Sequence, residues 1–136
     1  MRLKEVVDTR FLIEHFYSEN PDVKAKTSKK LKELVRKAEG IIPTLVLGEV
    51  ARITCEKRGK EEAALRHLSI LRSGLQIEEL THDVAKEAGL LKCQYRDIPM
   101  GDCIIASIAI RKNAKVLSDD PHFDAIKEVK RTWIND

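Results

Sequence analysis

The sequence has no long apolar run, and its N-terminus lacks the uninterrupted apolar stretch of a signal peptide. Its longest apolar run extends from Cys103 to Ile110, is interrupted by Ser107, and is far shorter than the ~20 residues that span a bilayer. The acidic residue Glu5 stands where a signal peptide would need apolar residues. Both absences argue against a membrane-spanning or exported protein, so we expect a cytoplasmic location.

Cysteines are few, and no glycine-rich phosphate-binding loop is present. The three cysteines, Cys55, Cys93 and Cys103, are odd in number, and no two have the spacing of metal ligands. We therefore expect free thiols in a reducing compartment, and neither a disulfide framework nor a zinc site. The missing glycine-rich loop argues against a nucleotide-binding enzyme.

Asparagine and glutamine are also scarce, whereas charged residues make up 35% of the chain. Many charged residues beside few amides are typical of heat-adapted proteins. The net charge is only +3, which permits nucleic acid as a partner but does not demonstrate it. With 43% hydrophobic residues, a chain of 136 residues can form a core of its own, so we expect one domain over residues 1–136.

Strand patterns alternate with helix patterns along the chain. Short apolar segments predict strands at 3–7, 41–42, 75–80, 114–117 and 129–134. Apolar residues at three- and four-residue spacing predict helices at about 11–17, 23–39, 44–58, 60–72, 83–94 and 102–112. Gly40 is expected to end the second helix, and Thr44 and Thr81 to cap the helices that follow them. This alternation predicts an α/β fold with three layers, in which a mostly parallel five-stranded sheet lies between helices.

Acidic residues occur at positions where α/β proteins bind ligands. Asp8 ends the first predicted strand, and Asp119 and Asp120 follow the fourth, which places them at the carboxyl ends of strands. Glu49 lies on an otherwise apolar helix face, where an unpaired carboxylate is costly and needs a partner. Asp102 opens a helix that is apolar on nearly every side. These residues are the candidates for a functional site.

Each acid also has a purely structural interpretation. Asp8 and Asp102 are suited to cap or favour the helices that they precede, and Glu49 to pair with an arginine or lysine. The Asp119-Asp120-Pro121 segment is suited to a turn. Four carboxylates at one sheet edge, however, repel each other unless cations lie between them. Mg²⁺ and Mn²⁺ are the expected ions, and such ions catalyse phosphodiester hydrolysis by activating water and neutralising phosphate charge.

The sequence resembles the PIN-domain nucleases over almost its whole length, in particular the toxins of VapBC toxin–antitoxin pairs. Four segments carry the resemblance in order. They are Val6-Val7-Asp8-Thr9, then Ile42-Pro43-Thr44 with Glu49-Val50, then Asp102 to Ala109, and finally Ser118 to Phe123. The last segment is similar to a Thr/Ser-x-Asp-x-x-Phe pattern. The resemblance implies a five-stranded parallel sheet with flanking helices and a Mg²⁺- or Mn²⁺-dependent ribonuclease that hydrolyses RNA phosphodiester bonds.

The resemblance also implies roles for individual residues. Asp8 and Asp102 would be the main metal ligands, and Glu49 would complete the site, directly or through water. In the last pattern, Asp120 fits the fourth acid better than Asp119. The hydroxyls of Ser118 and Thr9 would support the acids. For partners, the resemblance implies an RNA substrate, a small antitoxin protein and a homodimer.

Some features stay open to two interpretations. Arg10 departs from the family pattern, which has a small residue there, and is suited either to contact RNA phosphate or to pair with a nearby acid. Residues 24 to 37 hold seven basic side chains and one acid, which suits phosphate binding through counterion release, although a solvated helix face is the simpler interpretation. The four histidines have no metal-like spacing to each other. His122 lies beside the fourth acid and could contact substrate, but a surface position is the simpler expectation.

Two other functions compete with the nuclease hypothesis. The first is a PIN-like module that binds RNA or protein without cleaving, and four complete acids argue for the enzyme instead. The second is a phosphotransfer protein with Asp8 as the acceptor. The absence of a second acid at position 7 or 10 argues against it.

Overall fold

Five short strands form one sheet in the order β3-β2-β1-β4-β5 within residues 3–135, the part of the chain that the computed structural model describes. The strands are β1 (Glu5–Val7), β2 (Gly40–Pro43), β3 (Gln76–Glu78), β4 (Lys115–Leu117) and β5 (Arg131–Thr132). All four neighbouring pairs are parallel. The expected five-stranded parallel sheet is confirmed.

Within the same residues, six α-helices and one 3-10 helix connect the strands. They are α1 (Thr9–Tyr17), α2 (Pro21–Arg36), α3 (Thr44–Arg58), α4 (Lys60–Leu71), α5 (His82–Gln94), α6 (Met100–Lys112) and the 3-10 helix Pro121–Ala125. The chain proceeds outward from β1 to β2 and β3, then returns to β4 on the other side of β1. This reversal makes the gap between the carboxyl ends of β1 and β4 the topological switch point, where ligands bind in such sheets.

Continuous burial explains the sequences of the central strands and of α6. All residues of β1 and β2 are buried, as expected of parallel strands covered on both faces. Residues Cys103 to Ala109 of α6 are all buried, so this helix is apolar on every side because it lies inside the protein. Phe11 and Phe123 are fully buried in the same core. The core therefore holds α6 firmly beneath the switch point.

Several predicted element ends differ from the structure. The second helix begins at Pro21 rather than 23, because the Asn20 side chain accepts hydrogen bonds from the backbone N–H groups of Asp22 and Val23. The third strand is confined to Gln76–Glu78 and the fifth to Arg131–Thr132, so both are shorter than predicted.

Gly40 does not end a helix, as the sequence had indicated, but begins β2. The helix before it ends at Arg36. A Cβ atom at position 40 would lie 2.5 Å from Leu75 Cδ2 and 3.1 Å from Leu34 Cβ. Glycine is required here because the strand passes close to these side chains.

The two threonines expected to cap helices have different positions. Thr81 is the N-cap of α5, where its hydroxyl accepts a hydrogen bond from Val84 N at 3.2 Å. Thr44 is instead the first residue of α3, after Pro43 at the N-cap position. Its hydroxyl accepts a hydrogen bond from Leu80 N at 3.3 Å and so connects α3 to the segment after β3.

The structure also bears on the cysteines and on membrane insertion. Cys55, Cys93 and Cys103 are all free thiols, as expected, and Cys103 is buried. Across residues 3–135, no helix has both the length and the apolar character needed to cross a bilayer.

Candidate active site

Asp8 lies at the end of β1, in the floor of the switch point, and is only 4% exposed. It occupies the N-cap position of α1, yet its carboxylate makes no capping hydrogen bond. Instead, Ser118 Oγ donates a hydrogen bond of 2.6 Å to Asp8 Oδ2. Burial raises the pKa of Asp8 to about 6, the Ser118 hydrogen bond opposes this, and the charge of Asp102 adds to it. Asp8 is therefore the N-cap residue of α1 by position, while its side chain hydrogen-bonds to Ser118 rather than capping the helix.

Glu49 extends from the middle of α3 toward the same place. Thr9 Oγ1 donates a hydrogen bond of 2.6 Å to Glu49 Oε1, and a Cβ at position 101 would lie 3.7 Å from Glu49 Oε2. Among residues 3–135, no lysine or arginine forms an ion pair with this carboxylate. The partner of this half-buried carboxylate is a hydroxyl, and the ion pair that the sequence also allowed is not observed within residues 3–135.

Asp102 lies in the first turn of α6, whose N-cap position belongs to Pro99. Its side chain is 17% exposed, and its Oδ2 lies 2.9 Å from His122 Nδ1. Burial raises the pKa of Asp102, the His122 hydrogen bond opposes this, and the charges of Asp120 and Glu49 raise it further. Asp102 is therefore not the N-cap, but a carboxylate that helix α6 presents to other acids.

Asp120 is the N-cap of the 3-10 helix, where its Oδ1 accepts a hydrogen bond of 2.9 Å from His122 N. Its own backbone N–H donates to Ser118 Oγ at 3.0 Å. The Ser118 hydroxyl thus contacts both the Asp120 backbone and the Asp8 carboxylate. The turn expected for this segment is present, and it holds Asp120 over the end of β4.

Asp119 has a different partner from Asp120. Arg10 Nε donates to Asp119 Oδ1, and Arg10 Nη2 donates to Asp119 Oδ2 at 3.2 Å. Of the two interpretations of Arg10, pairing with a nearby acid is the one observed. This pair occupies Asp119 and leaves Asp120 beside Asp102.

His122 lies between two of the acids, which the sequence did not predict. Its Nδ1 is 2.9 Å from Asp102 Oδ2 and 3.3 Å from Asp120 Oδ1, while 45% of the side chain is exposed. The hydrogen bond to Asp102 raises the pKa of His122. Among residues 3–135, Asp102, Asp120 and His122 form the group whose ligand atoms all lie within 4.8 Å of one another. The sequence signal for this arrangement is the Asp120-x-His122 spacing in a turn.

Two of the predicted acids, Asp8 and Asp102, each feel the charges of two other acids. The charges of Asp102 and Glu49 both raise the pKa of Asp8. Those of Asp120 and Glu49 both raise the pKa of Asp102. Such effects indicate carboxylates that lie near one another at the same edge of the sheet. The fold therefore brings Asp8, Glu49, Asp102 and Asp120 to the switch point.

The basic segment of α2 lies away from these acids. Lys30 Nζ forms an ion pair of 2.6 Å with Glu5 Oε2, at the amino end of β1, whereas Asp8 follows the carboxyl end of that strand. Lys37 pairs with Glu33 at 2.8 Å on the helix itself. The middle of α2 is thus anchored at the opposite end of the sheet, which favours the solvated-face interpretation.

A parallel sheet with an acidic group at its switch point defines a class of α/β proteins that bind ligands at this edge. Residues 6–129 match the family model described as PIN domain, and the chain belongs to this family. A search of curated proteins gave no significant match.

Solved structures of similar fold cover nearly the whole chain. DNA-bound VapBC from Salmonella typhimurium has a TM-score of 0.79 at 15% identity, covering 98% of this chain and 99% of that one. VapBC2 from Rickettsia felis, bound to a promoter DNA fragment, has a TM-score of 0.75 at 21% identity, covering 96% and 98%. VapC20 from Mycobacterium tuberculosis, a sarcin-ricin loop cleaving toxin, has a TM-score of 0.68 at 19% identity, covering 93% and 98%.

Proposed function

We propose that the protein is a metal-dependent endoribonuclease that hydrolyses RNA phosphodiester bonds, and that it is the toxin of a type II toxin–antitoxin pair. The observation that carries the proposal is the convergence of Asp8, Glu49, Asp102 and Asp120 at the switch point of a PIN domain. A PIN-like module that binds without cleaving has no need of such a costly group of carboxylates.

The residues present fit a divalent metal ion. Asp8 is buried, and burial disfavours its charged form unless a cation lies nearby. Its side-chain hydrogen-bond partner is a neutral hydroxyl, as is that of Glu49, and within residues 3–135 neither carboxylate forms a direct ion pair with a lysine or arginine. Carboxylate oxygens are the ligands that Mg²⁺ and Mn²⁺ prefer. Asp8, Asp102 and Asp120 would hold the ion, with Glu49 contacting it directly or through water.

Neighbouring hydroxyl groups fix the orientation of two of the proposed metal ligands. Ser118 fixes the Asp8 carboxylate through its 2.6 Å hydrogen bond, and Thr9 fixes Glu49 through another of the same length. Such neighbours orient metal ligands and commonly change metal affinity about 10–100-fold. A bound ion would activate water for attack and neutralise charge on the phosphate.

A groove beside the acids supports an extended substrate. It has a volume of about 280 Å³ and is lined by residues of α1 and α3, with the basic side chains of Arg10 and Lys57 and the acidic ones of Glu14 and Glu56. It begins at Thr9, the residue that holds Glu49. We place the nucleotide next to the scissile phosphate in this groove, with Lys57 positioned at its border to meet the backbone charge. The name of the similar VapC20 structure, a sarcin-ricin loop cleaving toxin, supports RNA as the substrate.

Two exposed apolar surfaces support the protein partners. Helix α4 presents Leu65, Leu68 and Leu71, which are 61%, 45% and 41% exposed and recur every three residues. We assign this surface to an antitoxin, consistent with VapBC complexes among the similar structures. Leu90 of α5 and Ile110 of α6, 64% and 43% exposed, border a second groove of about 240 Å³. We assign that groove to a homodimer contact.

The test is cleavage of a single-stranded or hairpin RNA with and without divalent metal. We expect hydrolysis with Mg²⁺ or Mn²⁺, none in EDTA, and rate losses of several orders of magnitude for Asp8→Asn and Asp102→Asn. Asp22→Asn is the matched control, because Asp22 is an exposed carboxylate on α2 outside the acid group. Unchanged cleavage in EDTA, or near wild-type rates for either active-site variant, would contradict the proposal.

A further inference from the structure

His122 is not one of the four family acids, yet it lies between two of them. We propose that His122 is a nitrogen ligand of the metal site and makes that site select Mn²⁺ over Mg²⁺. This inference rests on the proposed metal-dependent function and adds the residue that determines which ion is bound. It is carried by three features: the spacing of the ligand atoms, the anchoring of the turn, and the chemistry of imidazole.

Two of the three separations between the candidate ligand atoms fit neighbouring ligands of one octahedral ion. Bonds of about 2.1 Å to such an ion separate neighbouring ligand atoms by about 3 Å and opposite ones by about 4.2 Å. His122 Nδ1 lies 2.9 Å from Asp102 Oδ2 and 3.3 Å from Asp120 Oδ1, and all three residues offer ligand atoms within 4.8 Å of one another. The two short separations therefore suit one ion, which would draw the carboxylates of Asp102 and Asp120 toward each other.

The turn that carries His122 is anchored on both sides. Its backbone N–H donates to Asp120 Oδ1 at 2.9 Å, and Pro121 restricts the backbone just before it. The next residue, Phe123, is fully buried in the core. His122 is thus held more firmly than most exposed side chains, while its 45% exposure leaves a path for an ion from solvent.

Imidazole chemistry supplies the selectivity. Imidazole nitrogen is a poor ligand for Mg²⁺, which prefers oxygen and retains its water, whereas first-row transition ions accept mixed nitrogen and oxygen ligands. In the hydrogen bond to Asp102, Nδ1 is the donor, so to bind an ion it must give up this bond and present its lone pair, which places the ring proton on Nε2. An imidazole added to these carboxylates therefore favours Mn²⁺ more than the carboxylates alone.

The competing role for His122 is that of an ion-pair partner that occupies the place of the cation. The two roles predict opposite effects when the imidazole is removed. A ligand contributes to binding, so its loss weakens Mn²⁺ affinity and barely affects Mg²⁺. A competitor must leave before any ion binds, so its loss strengthens the affinity for both ions.

The experiment measures the affinities of the full chain for Mn²⁺ and Mg²⁺ by calorimetry, in the absence of RNA. For His122→Ala we expect at least a tenfold loss of Mn²⁺ affinity and less than a twofold change for Mg²⁺. The matched control is His82→Ala, which removes a histidine whose side chain is 95% exposed on α5. A gain in affinity for both ions, an equal loss for both, or no change for Mn²⁺ would overturn the proposal.

Electron spin-echo spectroscopy of bound Mn²⁺ gives an independent measurement on the unmodified protein. We expect ¹⁴N modulation from a coordinated imidazole, and its loss in His122→Ala. Mn²⁺ bound by the wild type without ¹⁴N modulation would refute the histidine ligand even if the variant did not fold. If Asp102→Asn abolished metal binding and RNA cleavage while His122→Ala changed neither, the inference would fail and the nuclease would stand. A wild type that binds neither ion would overturn both.

Discussion

Ser118 Oγ donates a 2.6 Å hydrogen bond to Asp8 Oδ2 across 110 positions of sequence, and so joins the carboxyl ends of β4 and β1. Both side chains are buried, and the hydroxyl also accepts the backbone N–H of Asp120. One side chain thus holds an acid on one strand and the turn that presents another. The proposed site depends on this contact, because neither acid could be positioned by its own strand alone.

Removing the Ser118 hydroxyl should release Asp8. Without this hydrogen bond, the pKa of Asp8 should rise above its value of about 6, because the bond lowers it. For Ser118→Ala we expect roughly 10–100-fold weaker metal binding and a similar loss of cleavage rate, measured by calorimetry and single-turnover kinetics. Ser69→Ala, at an exposed position on α4, should change neither quantity. Full activity in Ser118→Ala would show that the hydroxyl is only structural.

Burial of Asp8 should make the metal-free protein less stable as pH rises. The pKa of Asp8 is about 6 in the folded protein and 3.8 in the ordinary carboxyl, so the folded state holds the proton more tightly. The contribution of Asp8 to the free energy of unfolding should be full below pH 4 and lost as pH rises through 6. At pH 7 the loss in the free energy of unfolding is about 3 kcal/mol, because the two pKa values differ by about 2 and each unit corresponds to about 1.4 kcal/mol.

Asp8→Asn tests this with denaturant melts in EDTA between pH 4 and 8. The variant should be more stable than wild type at pH 7, with a weaker dependence on pH. In wild type, Mn²⁺ at about one hundred times its dissociation constant should add ~2.7 kcal/mol and raise the melting temperature by roughly 5–10 °C. The variant should show a smaller shift. A variant that is less stable than wild type in EDTA, with no metal shift in either protein, would indicate that Asp8 is only structural.

The neighbouring acids Asp119 and Asp120 should differ in importance. Asp120 lies 3.3 Å from His122 beside Asp102, whereas Asp119 is engaged by Arg10. We expect Asp120→Asn to lose cleavage by at least a hundredfold and Asp119→Asn to stay within about tenfold of wild type, because one ion pair near the surface contributes little. An inactive Asp119→Asn with an active Asp120→Asn would reverse the assignment of the fourth acid.

The basic face of α2 should contribute little to RNA binding. Its Lys30 is anchored to Glu5 at the amino end of the sheet, away from the proposed site. Charge reversal of the exposed residues Lys29 and Lys32 to glutamate should therefore leave the slope of RNA affinity against salt unchanged. Lys57 lines the groove beside Thr9. Lys57→Glu should make the slope of RNA affinity against salt less steep, by the amount that corresponds to the loss of about one phosphate contact. A flattened slope for the α2 variant alone would place RNA on α2.

Substitutions on the two apolar surfaces should affect different partners, the antitoxin for the surface of α4 and the second protomer for the groove between α5 and α6. Leu90→Asp introduces a charge into the groove between α5 and α6, and should halve the mass of the protein in solution as measured by light scattering. Leu65→Asp alters the surface of α4 and should leave the mass unchanged while weakening binding of the antitoxin. Each variant is the control for the other, and a monomeric wild type would contradict the dimer assignment.

The sequence by itself determined the sheet, the order of its elements and the positions of the acids along them. Period-two and period-3.6 patterns predict strands and helices, and parallel strands place their carboxyl ends together. Asp8 and Asp120 could be placed at that edge because each follows a strand, and Glu49 because its helix face is otherwise apolar. The sequence did not predict where some helices end and begin, as at Gly40 and Thr44, because these positions depend on contacts with residues distant in sequence.

Only the tertiary structure decided which groups meet. The hydrogen bonds Thr9–Glu49 and Ser118–Asp8 join residues 40 and 110 positions apart, and the Asp102–His122 contact joins two elements with no local signal between them. Such distances are set by how α3, α6 and the 3-10 helix pack on the sheet, because side-chain contacts require atoms within a few ångströms and local periodicity fixes only the face. Packing therefore decided which acids lie close together, and it placed His122 between Asp102 and Asp120.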